Sequence, residues 1–293
     1  MKKMILLLIF IFAACSGEAP EPEDLLYLTA EDFPRIDGST ATIPLAEAAA
    51  AVLMSIDRSE AAAFVDFSGT DRAFRSLAGG SADLLIVYEP SELTRENLIH
   101  DIANMKMAPI GKDALVFIVN AENPVESLTK DQLRAIYTGE ITNWSQVGGE
   151  DAPITAFQRN VTAGSHALMV GLLMQDTPLA EAPQHYQIGG MGEMLTSVAE
   201  FDSGRYAIGY HVFYYVSAMM NNPNVRMLKV DGAAPSQATI SSGEYPLTNY
   251  FYAVIRADEP EDSAAYRMFR WLQSAEGQAL VYREGYAMLP HSP

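Results

Sequence analysis

Ala114-Leu-Val-Phe-Ile-Val119 is an unbroken apolar run, and it constrains the fold of this chain more than any other segment. A run without alternation leaves no face for water, so it reads as a strand buried on both faces, the pattern of a largely parallel sheet covered by helices. Asn120 to Pro124 breaks the run. Thr129 with Gln132 three residues later is a capping-box pattern, Leu133 and Ile136 supply a buried helical stripe, and Gly139 suits the position just past the helix end. Strand, turn and helix together predict an α/β unit.

A second pattern concerns chemistry. Arg159 stands a few residues ahead of Ala163-Gly164-Ser165, and Leu168 and Leu172 beyond them predict the inner face of a new helix. Free backbone N–H groups, a hydroxyl and a guanidinium would then surround one point, which attracts an oxyanion. Upstream, Asp37-Gly-Ser-Thr-Ala-Thr42 places Ser39, Thr40 and Thr42 just before a helix with Pro44 in its first turn and a stripe of Leu45, Ala49, Val52, Leu53 and Ile56. N-capping needs only one of those hydroxyls. Ser68-Gly-Thr-Asp71 is another hydroxyl-bearing helix start, followed by Phe74 and Leu77. Each helix N-terminus offers only a few free N–H groups, so a binding cleft benefits from several.

The rest of the chain reads as alternating elements. Ala82 to Ser91 is a buried strand ending in a turn, Met194, Leu195, Val198 and Phe201 mark a helix, and Tyr206 to Tyr210 is a strand in which Gly209 allows close approach. Tyr210, Phe213, Tyr214 and Tyr215 are core material rather than a sugar-stacking platform, and Met219, Met220 and Met227 fill gaps. Asn249 to Arg256 is a second mostly apolar strand, followed by a helix carrying Ala265, Met268, Phe269 and Leu272.

At the N-terminus, Met1-Lys-Lys, an apolar run from Met4 to Phe12 and Ala13-Ala14-Cys15 describe a bacterial lipoprotein signal over residues 1–15, with Cys15 as the lipid attachment point. Phe12 departs from the leucine usual in that motif. Cys15 is the 1 cysteine of the chain, so no intramolecular disulfide forms. Residues 16–23, rich in Gly, Pro and Glu, read as a flexible tether. With 49% hydrophobic residues the remainder can bury a substantial core, and the net charge of −18 argues against a nucleic-acid partner. It does not argue against a small anion, because long-range repulsion is screened while first-shell donors are not. No phosphate-cradling Gly-x-x-x-x-Gly-Lys loop and no His-Glu-x-x-His occurs. The histidines at 100, 166, 185, 211 and 291 show no metal-ligand spacing, and Ser165-His166, adjacent at a helix start, point apart rather than forming a catalytic pair. Neither an enzyme nor a cofactor is expected.

Taken with Asn123-Pro-Val125, Thr142-Asn-Trp144, Ala207-Ile-Gly-Tyr210, Asp231-Gly232, Pro235, Tyr245-Pro246, Glu276-Gly-Gln278 and Gly285-Tyr286, these motifs make the chain resemble phosphate-binding proteins of the PstS type. These are the extracytoplasmic solute receptors of phosphate ABC transporters, here in the form common in Gram-positive bacteria. The resemblance implies an α/β, type II periplasmic-binding-protein fold, with two α/β lobes joined by two crossover strands around a ligand cleft. Residues 24–112 plus 245–293 would form lobe 1 and residues 113–244 lobe 2. It further implies inorganic phosphate as ligand, ABC transporter permease subunits as partners, a monomer, and lipid anchoring to the outer face of the cell membrane.

Carried over residue by residue, the resemblance implies a bidentate contact from Arg159 and hydroxyl or backbone donors from Ser39, Thr40, Thr70, Gly164 and Ser165. The receptors share an aspartate after the strand that ends near Val87, which accepts a hydrogen bond from protonated phosphate; this chain has Val87-Tyr88-Glu89-Pro90. Glu89, Asp37 or Asp71 could take that role, the plainer alternative for Glu89 being a solvent-facing turn. His166 replaces the family's Gln or Thr, and Ala163 a serine; His166 either donates to the anion or faces solvent. A PstS-like sensor or surface interaction module with altered anion binding is the competing expectation.

Overall fold

The computed structural model describes residues 26–161, 163–182, 186–200, 206–220 and 222–289, excepting the side chain of Met191. The expected signal, Cys15, the tether 16–23 and Phe201 lie outside the described residues.

The strands are β1 (Ile36–Gly38), β2 (Leu84–Val87), β3 (Met105–Asn120), β4 (Ser127–Leu128), β5 (Thr155–Ala156), β6 (Gln158–Arg159), β7 (Gln187–Ile188), β8 (Ala207–Val212), β9 (Val225–Met227), β10 (Lys229–Val230) and β11 (Thr248–Arg256). The main sheet runs β1-β2-β11-β3-β8-β5, with β9 also paired to β3. The apolar run predicted from sequence is the second half of a 16-residue strand. Through Ala114, β3 pairs with β11; from Leu115 onward it pairs with β8 and β9. One strand is thus shared by two half-sheets.

All those β3 pairings are antiparallel, which corrects the expectation of a parallel neighbourhood; among the described residues parallel pairing occurs in β1 with β2, β5 with β8, two short ladders and an isolated bridge of Ile36 with Val65. Ala114 to Val119 are nonetheless fully buried. Packed layers on both faces account for that, and strand direction is irrelevant to it. The helix Met191–Glu200 lies against β8 closely enough that a methyl group at Gly209 would meet Met194 Sδ at 2.5 Å. The helices Ala264–Gln273 and Ala275–Arg283 cover the β11 side.

Local signals mostly formed as read. The helix Lys130–Thr138 carries the Thr129/Gln132 capping box and ends on Gly139 with φ 80°. Thr129→Ala removes the cap on the Gln132 N–H and should cost about 1 kcal/mol of stability, measured by urea denaturation; an unchanged midpoint would contradict this account of the helix start. In the helix Ile43–Met54, Leu45, Ala46, Ala49 and Leu53 face the core, while Val52 is 49% exposed and does not belong to the predicted stripe. The four alanines at 48–51 widen the closely packed face and shift it off Val52. Tyr210, Phe213, Tyr214 and Tyr215 are all buried, in keeping with core packing.

Candidate functional site

Three backbone arrivals build one small pocket. After β1, the chain turns through Ser39 into a short 3-10 turn at Thr40–Thr42. The Ser39 N–H donates to Ile86 O at 3.1 Å, and Thr42 Oγ1 donates to Ser39 O and Ile86 O at 2.8 and 2.6 Å. The Thr42 hydroxyl is therefore spent on holding the loop, which leaves Ser39 and Thr40 for the pocket. The second arrival is the helix Thr70–Ala78, entered through Gly69 at φ 94°, a conformation that suits glycine. Its first hydroxyl, Thr70 Oγ1, lies 2.8 Å from Ser39 Oγ.

The third arrival comes from the β8 side of β3, through the separate two-stranded β6-β7 sheet. β6 delivers Arg159, and the α-helical turn Gly164–Leu168, which widens into a π-helical turn over Met169–Met174, delivers Gly164 and Ser165. A Cβ at Gly164 would stand 3.0 Å from Thr70 Oγ1. The start of one helix thus closes directly on a hydroxyl at the start of another. Ser39, Thr40, Gly69, Thr70, Arg159, Gly164 and Ser165 line a pocket of about 110 Å³, roughly the space of three or four waters.

Arg159 sets the electrostatics. It is 6% exposed. Its Nη1 donates to Gly190 O, and its Nη2 to Gly189 O at 3.1 Å, a geometry fixed by the β6–β7 pair in which Arg159 faces Ile188. Its Nε is buried and without a partner, and among the described residues no carboxylate lies within ion-pair distance of it. Burial pulls the guanidinium pKa down, against the pull of Tyr210, Glu193 and Tyr215, yet an arginine stays charged in proteins. The pocket lining itself contains no acidic residue. A buried cation lining a pocket with hydroxyls, and with no carboxylate in direct ion-pair contact among the described residues, is chemically incomplete until an anion arrives.

Two of the predicted site residues are not brought to this pocket. Glu89 pairs with Arg95, and it borders a larger cavity of about 600 Å³ together with His166, Val170, Tyr250 and Tyr252. Glu89 lies past the end of β2, with its side chain on Arg95 and the larger cavity and not among the groups lining the small pocket. His166 is displaced by helix geometry, about 100° around the axis from Ser165. Its Nδ1 lies 3.2 Å from the Tyr210 hydroxyl, and burial lowers its pKa. The other two candidate acceptors hold loops. Asp37 accepts the Gly38 and Ser68 N–H groups and the Ser68 hydroxyl, each at 2.7 Å, and Asp71 accepts the Ser91 N–H and hydroxyl at 3.1 and 2.7 Å.

Sequence reasoning missed Tyr88 and Asp113. Tyr88 lines the pocket, and its N–H donates to Ser39 Oγ at 3.0 Å while its hydroxyl donates to Asp113 Oδ2 at 2.5 Å. The available signal was an acidic residue directly ahead of a strand segment buried on both faces, which must find partners inside the protein. Among the described residues no cluster of His, Cys, Asp or Glu suited to a metal ion occurs.

Two half-sheets sharing β3, with an anion-seeking pocket lined from both sides of that strand, define a receptor-like α/β binding fold. The PBP superfamily domain matches residues 29–276, and the chain belongs to that superfamily. Among curated relatives, the phosphate-binding protein PstS of Bacillus subtilis is 26% identical over 257 residues, spanning 86% of this chain and 79% of its own. The protein of the same name from Borreliella burgdorferi is 26% identical over 208 residues, covering 69% of this chain and 71% of its own. A Clostridium perfringens crystal structure, described as a phosphate ABC transporter substrate-binding protein with bound phosphate, superposes with a TM-score of 0.70 at 25% identity, over 87% of this chain and 98% of that one. The expected α/β fold of the type II periplasmic-binding-protein kind is the fold observed.

Proposed function

We propose that this chain is an extracytoplasmic solute-binding lipoprotein that captures inorganic phosphate between two lobes and delivers it to an ABC transporter permease. It is a binding protein and not an enzyme. The carrying observation is Arg159, a buried cation with an unpartnered Nε beside the hydroxyls of Ser39 and Thr70. Relatives named for phosphate binding, spanning most of the chain, supply the identity of the anion. Thr40, Gly164 and Ser165 complete the proposed shell, and Glu89 and His166 stand outside it.

In this reading residues 24–112 plus 245–293 form lobe 1, residues 113–244 form lobe 2, and the protein works as a monomer. Cys15 carries the lipid that holds it at the outer face of the cell membrane. The unpaired buried charge supports an ion of tetrahedral shape and small size, and the small volume leaves little room for an ester group. Calorimetric titration of ligand-stripped protein with phosphate, sulfate, molybdate and tungstate tests the reading. Phosphate should bind at micromolar or tighter affinity, about −8 kcal/mol or better. Heat from none of the four anions would sink the proposal.

A further inference from the structure

Asp113 is 1% exposed and sits where β3 passes from one ladder to the other, between the pairs Asn249 with Asp113 and Leu115 with Val212. Its Oδ2 accepts the Tyr88 hydroxyl, and its Oδ1 accepts the N–H groups of Ala114 and Tyr214 at 2.8 and 3.1 Å. Both half-sheets therefore converge on one carboxyl group. No cation is paired with it among the described residues. Neighbouring Lys112 donates to Ser241 O at 3.2 Å and lies over the Tyr250 ring. Arg58, which acts on Tyr214, is committed to Glu284 and Glu47. The remaining titratable groups that face Asp113 are the phenols of Tyr88, Tyr214 and Tyr286, all neutral in the physiological range.

A carboxylate held only by dipoles in a dry interior is poorly compensated. Burial accordingly pushes the Asp113 pKa up to about 6, against the hydrogen bonds from Tyr88, Ala114, Tyr214 and Phe213. Directly across the ladder, and so on the same face of the sheet, stands Asn249. It is 8% exposed, and its Oδ1 has no hydrogen-bond partner. The residue paired with Asp113 thus carries a spare acceptor on the same face of the ladder.

The link to the pocket is short, since Tyr88 bonds Asp113 through its hydroxyl and Ser39 through its N–H. We propose that Asp113 is a proton-binding site of the receptor, taking up a proton from solvent when an oxyanion enters the pocket, so that proton and anion bind cooperatively. This rests on the phosphate reading above. A second negative charge arriving beyond Tyr88 disfavours the carboxylate, and by reciprocity the neutral carboxyl group favours the anion. The sign is fixed. The anion-bound state has the higher Asp113 pKa, so this group tightens binding as pH falls through its titration range and contributes nothing well above it.

Calorimetry of the purified protein with inorganic phosphate at about pH 6.5, in two buffers of different ionisation enthalpy, measures the proton uptake. The same titration of Asp113→Asn subtracts the proton exchange of phosphate itself. Wild-type protein should take up several tenths of a proton more than the variant. The ratio of their affinities should move toward wild type by up to about tenfold between roughly pH 7.5 and 5.5, the amount that one unit of pKa coupling provides. Equal uptake in two proteins that both bind phosphate would overturn the proton site and leave the phosphate reading intact. Failure of wild-type protein to bind phosphate would overturn both. Should Asp113→Asn not fold, infrared difference spectra of unaltered protein carrying isotope-labelled aspartate, phosphate-bound minus free, decide the matter: a gained protonated-carboxyl band supports the site, and its absence overturns it.

Discussion

Arg159→Ala should abolish useful phosphate binding. Truncating one side of a buried, hydrogen-bonded charge pair costs about 2–5 kcal/mol, which is roughly 30-fold to several-thousand-fold in affinity. The upper part of that range is expected, because Arg159 is 6% exposed and the pocket lining offers no second cation. Two of its nitrogens also fix the carbonyls of Gly189 and Gly190, so alanine loosens that turn while it removes the charge. Arg159→Lys separates the two effects. It keeps a charge without the planar fork and should recover only part of the affinity. Titration calorimetry with phosphate reads both variants, and an alanine variant that binds within about threefold of wild type would remove the central residue from the proposal.

The second large effect is on stability. Gly38 is the last residue of β1, and a methyl group there would sit 2.0 Å from Ile86 O and 2.6 Å from Phe67 Cε2. The carbonyl has little freedom to retreat. It belongs to the residue that pairs with Gly38 in the ladder, and it accepts the Ser39 N–H at 3.1 Å and the Thr42 hydroxyl at 2.6 Å. Gly38→Ala should therefore cost about 3 kcal/mol or more, lowering the melting temperature by roughly 6–12 °C and misplacing Ser39 with it. Gly171→Ala is the matched control, since a methyl group there meets nothing within 4 Å. Scanning calorimetry of the two variants would contradict the close-approach argument if both melted with the parent.

What could be read from sequence was whatever is encoded locally. The capping box at Thr129 and Gln132, the stop at Gly139 and the apolar run through Val119 each depend on residues within a few positions of one another, and each formed. Ser39, Thr40, Thr70, Gly164 and Ser165, which line the pocket, were legible for a related reason, because hydroxyls and glycines at helix starts mark places where N–H groups are open. Side-chain direction was not encoded in the same way. Glu89 and His166 stand one residue away from pocket-lining neighbours, and one step along extended chain or helix turns a side chain to another face. The hydrogen bonds of Asp113 span 25 residues to Tyr88 and 101 to Tyr214, a relation no window could show. Strand direction failed similarly, since continuous burial reports layers on both faces and carries no information about the partner's polarity.

The sharing of β3 between both half-sheets has a consequence for how the chain acquires its structure. β11 lies between β2 and β3, although it is the last strand in the order of synthesis. Until Thr248–Arg256 has been made, the facing edges of β2 and β3 have no partner, and the half-sheet that carries Ser39 and Thr70 has a gap in its middle. Closing that gap joins residues more than a hundred positions apart, as in the pairing of Asn249 with Asp113, and such long-range closure is slow. The nascent polypeptide therefore stays open along those edges through most of its elongation, a state compatible with threading across a membrane, and consolidates only when its C-terminal strand arrives.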